Sequence, residues 1–211
     1  MNTVITGFVR QCVAAAGILL ALTLVLGVAY PAAVWVISRA NSSGAEGSQL
    51  VDARGCPVGS ALIGLDPQVP AGEPDPYLHA RVVGAADEPM STGDPSASAA
   101  TNQGPNSETL LANVEARRTL IAEREGVAPS AVPADAVTGS GSGLDPHISP
   151  AYAELQVPRL SEVTSRSSEE IRSIIAEHTE RRQFGILGEP RVNVLEVNLA
   201  LGHTVARCHT S

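Results

Sequence analysis

Residues whose types and spacing could do chemistry gather in one stretch of this 211-residue chain, Thr138 to Pro150, which reads TGSGSGLDPHISP. Asp145 and His147 stand on either side of Pro146. An imidazole beside a carboxylate is the minimal base-and-orienter pair of acid–base or nucleophilic catalysis, and the same two groups are metal ligands. Both uses need more partners. The chain has five His, with His203 and His209 near its end, and no second cluster falls at ligand spacing, so no metal site is expected. The bland use of the pair is to hold a glycine-rich turn together by hydrogen bonds to backbone, and the residues favour it.

Other chemistries fail on composition or spacing. A phosphate loop needs Lys followed by Ser or Thr after its last glycine, and this chain has no Lys at all, its 14 basic residues being Arg. A hydrolase nucleophile elbow needs Gly two residues either side of a Ser; Ser140 has Thr138 and Ser142 there, and Ser142 has Ser140 and Leu144. No catalytic residue is assigned, and cofactor-binding residues remain unknown. Asn102-Gln103-Gly104-Pro105-Asn106 reads as a turn leading into a helix rather than as a ligand site. With a net charge of -8 and no basic stripe to neutralise phosphates, nucleic acid is excluded as a partner.

The elements that must position these residues begin with an anchor. A mean hydropathy of +0.09 conceals an uncharged run from Cys12 to Ile37. A helix over residues 13–37 rises about 1.5 Å per residue, enough to cross a hydrocarbon layer of roughly 30 Å. Arg10 and Arg39 bracket it, Tyr30 and Trp35 fall where an interfacial belt would lie, and small residues, Gly17 and Ala21 among them, would let a neighbouring span approach closely. The run is too long for a cleaved signal, whose apolar part is about 7–15 residues. We read a short tail at 1–12, a membrane helix at 13–37, a stalk at 38–59 and a soluble α+β domain at 60–211. The flanking charges nearly tie. The short amino end is the part more easily left in the cytoplasm, which puts the domain outside. Residues 39–211 carry 13 Arg against 22 Asp and Glu. Cys56 and Cys208 are either a disulfide pair or two isolated thiols.

Within the domain, short strands are expected near Ala61–Ile63 and Arg81–Val83. Between and beyond them runs a proline-rich irregular region, Asp66 to Pro105. Ser107 to Glu125 forms a helix stopped by Gly126. A second helix starts at Ser149-Pro150 and runs through Leu155, and a third starts at the Ser167/Glu170 capping box and ends near Arg181. Leu195, Val197, Leu199 and Leu201 alternate with other residues, as in a strand over Arg191 to Leu201.

The order of motifs resembles a known family. Val132-Pro133-Ala134-Asp135, the Gly139-to-Pro150 signature, Gln156-Val157-Pro158-Arg159, and Leu187-Gly188-Glu189-Pro190-Arg191-Val192-Asn193-Val194-Leu195-Glu196 with Asn198-Leu199-Ala200-Leu201 are similar to stations of the C subunit of the bacterial potassium-transporting P-type ATPase, the Kdp complex. Tyr30-Pro31, Gly59-Ser60 with Leu62-Ile63-Gly64, and Asn102-Gln103-Gly104-Pro105-Asn106 extend the likeness to nearly the whole chain. Departures lie at Tyr77–Val83 and at Ser98-Ala99-Ala100-Thr101, where the family carries other residues. The resemblance implies a non-catalytic accessory subunit in the plasma membrane. Its partners would be a channel-like A subunit, an ATP-hydrolysing B subunit and the lipid bilayer; K⁺ is the transported ion. ATP enters through the catalytic subunit, whose affinity for it this chain would raise as a catalytic chaperone; an acidic domain outside could also cap the ion entrance. Asp145, His147, Asn102, Arg81, Arg159 and Glu189 are the candidate docking or loop-organising residues, and Gly17 and Ala21 the candidate helix-packing pair. Two readings from other classes stand beside this one: a membrane-anchored extracytoplasmic hydrolase using Asp145 and His147, and an anchored binding module with no pump.

Overall fold

The computed structural model describes residues 2–70, 72–81 and 88–204. Its contacts divide the chain after Ser48. The first unit is almost wholly helical. Helix α1 (Asn2–Leu24) begins well before the expected Val13, because nothing in residues 2–12 interrupts a helix. A wide turn, Val25–Ala29, joins it to α2 (Tyr30–Ser38), with the Tyr30 amide bonded to the carbonyl of Val25. Pro31 supplies the reason: its ring clashes with the carbonyl four residues back and donates no hydrogen bond, and a wider turn relieves both. Among the described residues, Val4–Ala45 is the one helical run long and apolar enough to cross a membrane.

The stretch read as a stalk, 38–59, holds short regular elements. The helix continues through a tight turn (Arg39–Asn41) into α3 (Ser42–Ala45), where the Asn41 side chain accepts from the Gly44 amide at 3.2 Å. Arg39 stacks over Trp35 and pairs with Glu46 at 2.8 Å. Residues 46–48 then lead to an antiparallel hairpin of β1 (Gln49–Val51) and β2 (Pro57–Ser60), so the strand foreseen at Ala61–Ile63 lies a few residues earlier. Cys56, within this hairpin, is 1 % exposed and disulfide-bonded. Cys208 lies outside the described residues, as do Val82 and Val83 of the other expected strand; Arg81 itself is irregular.

In the second unit, α4 (Glu108–Glu125), α5 (Ala134–Val137), α6 (Pro150–Thr164), α7 (Ser168–Glu177) and α8 (Val194–Ala200) gather around a three-stranded antiparallel sheet. In the sheet, β5 (Arg191–Asn193) lies between β3 (His147–Ile148) and β4 (Thr179–Glu180), with Ile148 and Thr179 both opposite Val192. Ile121, Tyr152, Val157, Leu160, Ile171, Val192, Val194 and Val197 form a fully buried core. With few aromatics, it is built from aliphatic chains around one tyrosine.

Three further boundaries differ from the sequence expectation. Helix α6 runs past Leu155 and through Pro158, because the buried stripe of Tyr152, Ala153, Gln156, Val157 and Leu160 continues across the proline and outweighs its cost of about 3 kcal/mol. Helix α7 stops at Glu177, short of Arg181, because Thr179 and Glu180 pair with β5. The expected strand over Arg191 to Leu201 is a strand for three residues only. Asn193 then accepts from the Glu196 amide at 3.2 Å and starts α8, on which Val194, Val197, Asn198 and Leu201 share the buried face.

Candidate functional site

The Gly/Ser signature is a loop built around one hydroxyl. Ser140, 7 % exposed, accepts hydrogen bonds from the amides of Ser142 at 3.2 Å, Gly143 at 3.1 Å and Asp145 at 3.4 Å. Gly143 sits at φ +74°, a left-handed conformation that favours glycine. A second strand of chain clamps the loop: the Gly64 amide donates to the Leu144 carbonyl at 2.8 Å, and a Cβ at Gly64 would lie 2.5 Å from the Asp145 carbonyl oxygen. The Ser98 hydroxyl and Ala99 amide both donate to the Ser142 carbonyl.

Asp145 is the electrostatic centre of the loop. One carboxylate oxygen accepts from the His147 amide at 3.0 Å and lies 3.4 Å from His147 Nδ1; the other accepts from Arg81 Nη1 at 3.0 Å. Arg81 spends its remaining donors on the carbonyls of Thr138 at 3.3 Å and Gly139 at 3.0 Å. The side-chain hydrogen bond with His147 does most to lower the Asp145 carboxyl; burial opposes it, the His147 amide and Arg81 reinforce it, and the group is held at about 2. Downstream, Asp135 accepts from the amide and hydroxyl of Ser149, each at 2.9 Å, and Ser149 caps α6 by accepting from the Tyr152 amide.

These residues face an open groove of about 370 Å³ lined by Arg81, Asp135, Asp145, His147, Ile148, Ser149, Glu189, Pro190 and Arg191. Four of the six candidates thus come together: Arg81, Asp145, His147 and Glu189. Glu189 also pairs with Arg182 at 2.6 Å. Behind the Arg81–Asp145 pair lies a smaller pocket of about 240 Å³, which that pair also lines together with Gly64, Asp66, Ser140 and Gly143. Asn102 is elsewhere, exposed at φ +51° with its side-chain amide donating to the Ala100 carbonyl. Gly17 and Ala21 are exposed on α1.

Arg159 belongs to a second cluster, which sequence reasoning did not foresee. Its guanidinium donates to the carbonyls of Asp75 at 2.7 Å and Tyr77 at 3.0 Å, to Glu125 at 3.0 Å and to Gln156 at 3.0 Å. His79, 3 % exposed, has Nδ1 2.9 Å from Asp66 and Nε2 2.6 Å from Asp75. Burial raises the Asp75 carboxyl, but the hydrogen bond and charge of His79, the Tyr77 amide and Arg159 together outweigh it and hold the group at about 2. Two buried amides stitch this irregular segment to the helices: Gln156 exchanges hydrogen bonds with the His79 backbone, and Asn198 with that of Leu78. Every donor of Arg159 is turned inward, which makes it a holder of the 75–80 segment. The Asp75/His79 spacing was the one available sequence signal.

What fold and site define is a small α+β domain, carried behind one membrane-length helix, with a rigid glycine-rich loop beside an open polar groove. The family model described as "K+-transporting ATPase, c chain" matches residues 12–203, and the chain belongs to this family, KdpC. Curated relatives named potassium-transporting ATPase KdpC subunit are similar throughout: one from Kineococcus radiotolerans is 44 % identical, covering 95 % of this chain and 97 % of the relative. The relative from Ralstonia nicotianae is 39 % identical over 90 % of this chain and 89 % of its own length. That from Streptomyces coelicolor is 38 % identical over 98 % of both.

Proposed function

We propose that this chain is a non-catalytic accessory subunit of a potassium-transporting P-type ATPase, anchored by its amino-terminal helix and docked on the channel-like and ATP-hydrolysing subunits through the groove beside the signature loop. One observation carries the reading. The polar groups of the signature are consumed in shaping the loop, Asp145 by Arg81 and the His147 amide and Ser140 by three loop amides, so the stretch presents a fixed surface rather than an activated nucleophile. A rigid loop loses little entropy on association, which is what a docking element requires.

In the same proposal the domain lies outside the cytoplasm, a placement supported by the disulfide at Cys56, since such bonds persist in oxidising compartments. The net charge of residues 39–211, 13 Arg against 22 acids, would there raise the local concentration of K⁺ at the ion entrance. The catalytic-chaperone effect on ATP affinity then reaches the ATP-hydrolysing subunit through the assembled complex rather than through a nucleotide site on this chain. Affinity purification of the tagged full chain from native membranes tests the reading. Co-isolation of a channel-like subunit and a P-type ATPase subunit is expected, and recovery of the chain alone as a monodisperse species in mild detergent would overturn it.

A further inference from the structure

The hairpin that joins β4 to β5 exposes its apolar side chains instead of burying them: Phe184 is 91 % exposed, Ile186 76 % and Leu187 55 %. Single exposed apolar residues need no explanation, but three within four positions at one tip do. Phe184 sits at φ +53°, a conformation that favours glycine, and buries nothing in return. The tip bonds part of its own backbone. The Gln183 and Leu187 amides donate to each other's carbonyls at 2.8 and 2.9 Å, the Ile186 amide donates to the Gln183 carbonyl and the Gly185 amide to that of Arg182. Partial internal pairing suits the headgroup–acyl boundary, where water and headgroups can meet the remaining polar groups.

The charges around the tip differ from those of the rest of the domain. Residues 180–191 hold three Arg against two Glu, in a portion of the chain, 39–211, where acids outnumber Arg by 22 to 13. Arg182 pairs with Glu189, and Arg191 with Glu180, but these pairs are exposed, and such pairs contribute little in water, so phosphate groups can take over the guanidinium forks. Apolar side chains at a self-bonded tip, rimmed by Arg, match the boundary between lipid headgroups and acyl chains.

We propose that residues 182–188 form a bilayer-contact element, in which Phe184, Ile186 and Leu187 enter the headgroup–acyl boundary while Arg181, Arg182 and Arg191 meet lipid phosphates. Because the same chain carries a membrane-length helix, the tip acts intramolecularly and needs only weak intrinsic affinity. Arg191 also lines the signature groove, so the apolar side chains of the tip, which do not line it, carry the inference.

The test uses the full chain with its only Trp removed (Trp35→Phe) and a reporter placed by Phe184→Trp, reconstituted in phosphatidylcholine/phosphatidylglycerol vesicles containing acyl-brominated lipid. Quenching of roughly half or more of the emission is expected, as for a side chain seated at the acyl boundary. Leu111→Trp in the same background, on an exposed position of α4, should stay unquenched, and Arg181→Gln with Arg182→Gln should reduce the Phe184→Trp signal. Three results would overturn the proposal: no quenching at Phe184→Trp, equal quenching at both reporters, or loss of quenching when the other pump subunits are co-reconstituted and recovered as a complex, which would make the tip a protein-docking element.

Discussion

Gly64 gives the sharpest test of how the site is held together. Its φ lies outside the left-handed region, so any residue could adopt its backbone; what demands glycine is space, because an added Cβ would lie 2.5 Å from the Asp145 carbonyl oxygen and 3.0 Å from its carbon. Both are backbone atoms, which cannot rotate away. Gly64→Ala must therefore push the signature loop off its clamp and strain or break the 2.8 Å hydrogen bond from the Gly64 amide to the Leu144 carbonyl. Overpacking costs about 1–3 kcal/mol and a lost hydrogen bond about 0.5–1.5 kcal/mol, so roughly 2–4 kcal/mol is expected. For a domain of this size that lowers Tm by roughly 5–15 °C. Gly143→Ala, forced to φ +74°, should cost about 1–2 kcal/mol. Gly141 has open space around it and no positive φ, so Gly141→Ala should be neutral or stabilising by up to about 1 kcal/mol. Thermal unfolding of the full chain in detergent ranks the three. Gly64→Ala unfolding at the same temperature as Gly141→Ala would refute the clamp.

Further outcomes follow from the electrostatics, the buried amides and the anchor. Asp75 and Asp145 are both held at about 2, below the usual carboxylate range, so their stabilisation is fully present above pH 4 and is lost as pH falls toward 2. After discounting for solvent access, each contributes on the order of 1–2 kcal/mol, and unfolding free energy measured against pH should drop across that window, less so in Asp145→Asn; a flat profile would contradict the assignment. Gln156→Leu leaves the amide and carbonyl of His79 without their partners in a fully buried place and should cost about 2–5 kcal/mol by denaturant titration, whereas an effect under about 0.5 kcal/mol would show that the segment holds without it. Gly17→Leu with Ala21→Leu should lower recovery of the complex in detergent; unchanged recovery would remove that helix face from the interface.

How much of this was legible in the sequence depended on how local the cause was. The starts of α6 and α7 were readable because a cap is written in four residues: Ser149 and Ser167 each accept from the amide three positions on, and Ser107, read as the first residue of α4, caps it in the same way. The membrane-length helix was readable from composition, although its beginning at Asn2 was not, since a helix of that kind ends where something stops it. Helix α8 was misread because Val194 to Leu201 satisfies both periods at once: Leu195, Val197, Leu199 and Leu201 alternate, while Val194, Val197, Asn198 and Leu201 recur at helical spacing. The Asn193 cap decides between them. Of the site, the pairing of Asp145 with the His147 amide was accessible from a two-residue spacing. Arg81 reaches Asp145 across 64 positions, and Gln156 reaches His79 across 77, so nothing in the local pattern announces either.

The central claim is that the groove beside the signature is a docking surface, which the His147 side chain serves without being needed for the fold. His147 tests it best, because its side chain borders the groove and makes its closest polar contacts at 3.4 Å to Asp145 and 4.0 Å to Glu180, whereas its amide, which any residue retains, makes the loop's hydrogen bond. The measurement is recovery of the three-subunit complex, with its K⁺-stimulated ATPase rate, from cells expressing His147→Ala, alongside the Tm of the variant chain. The account predicts a Tm within a few degrees of the unsubstituted chain and a clear loss of complex or of K⁺ stimulation. Full recovery and rate with the fold intact would contradict it, as would an unfolded variant.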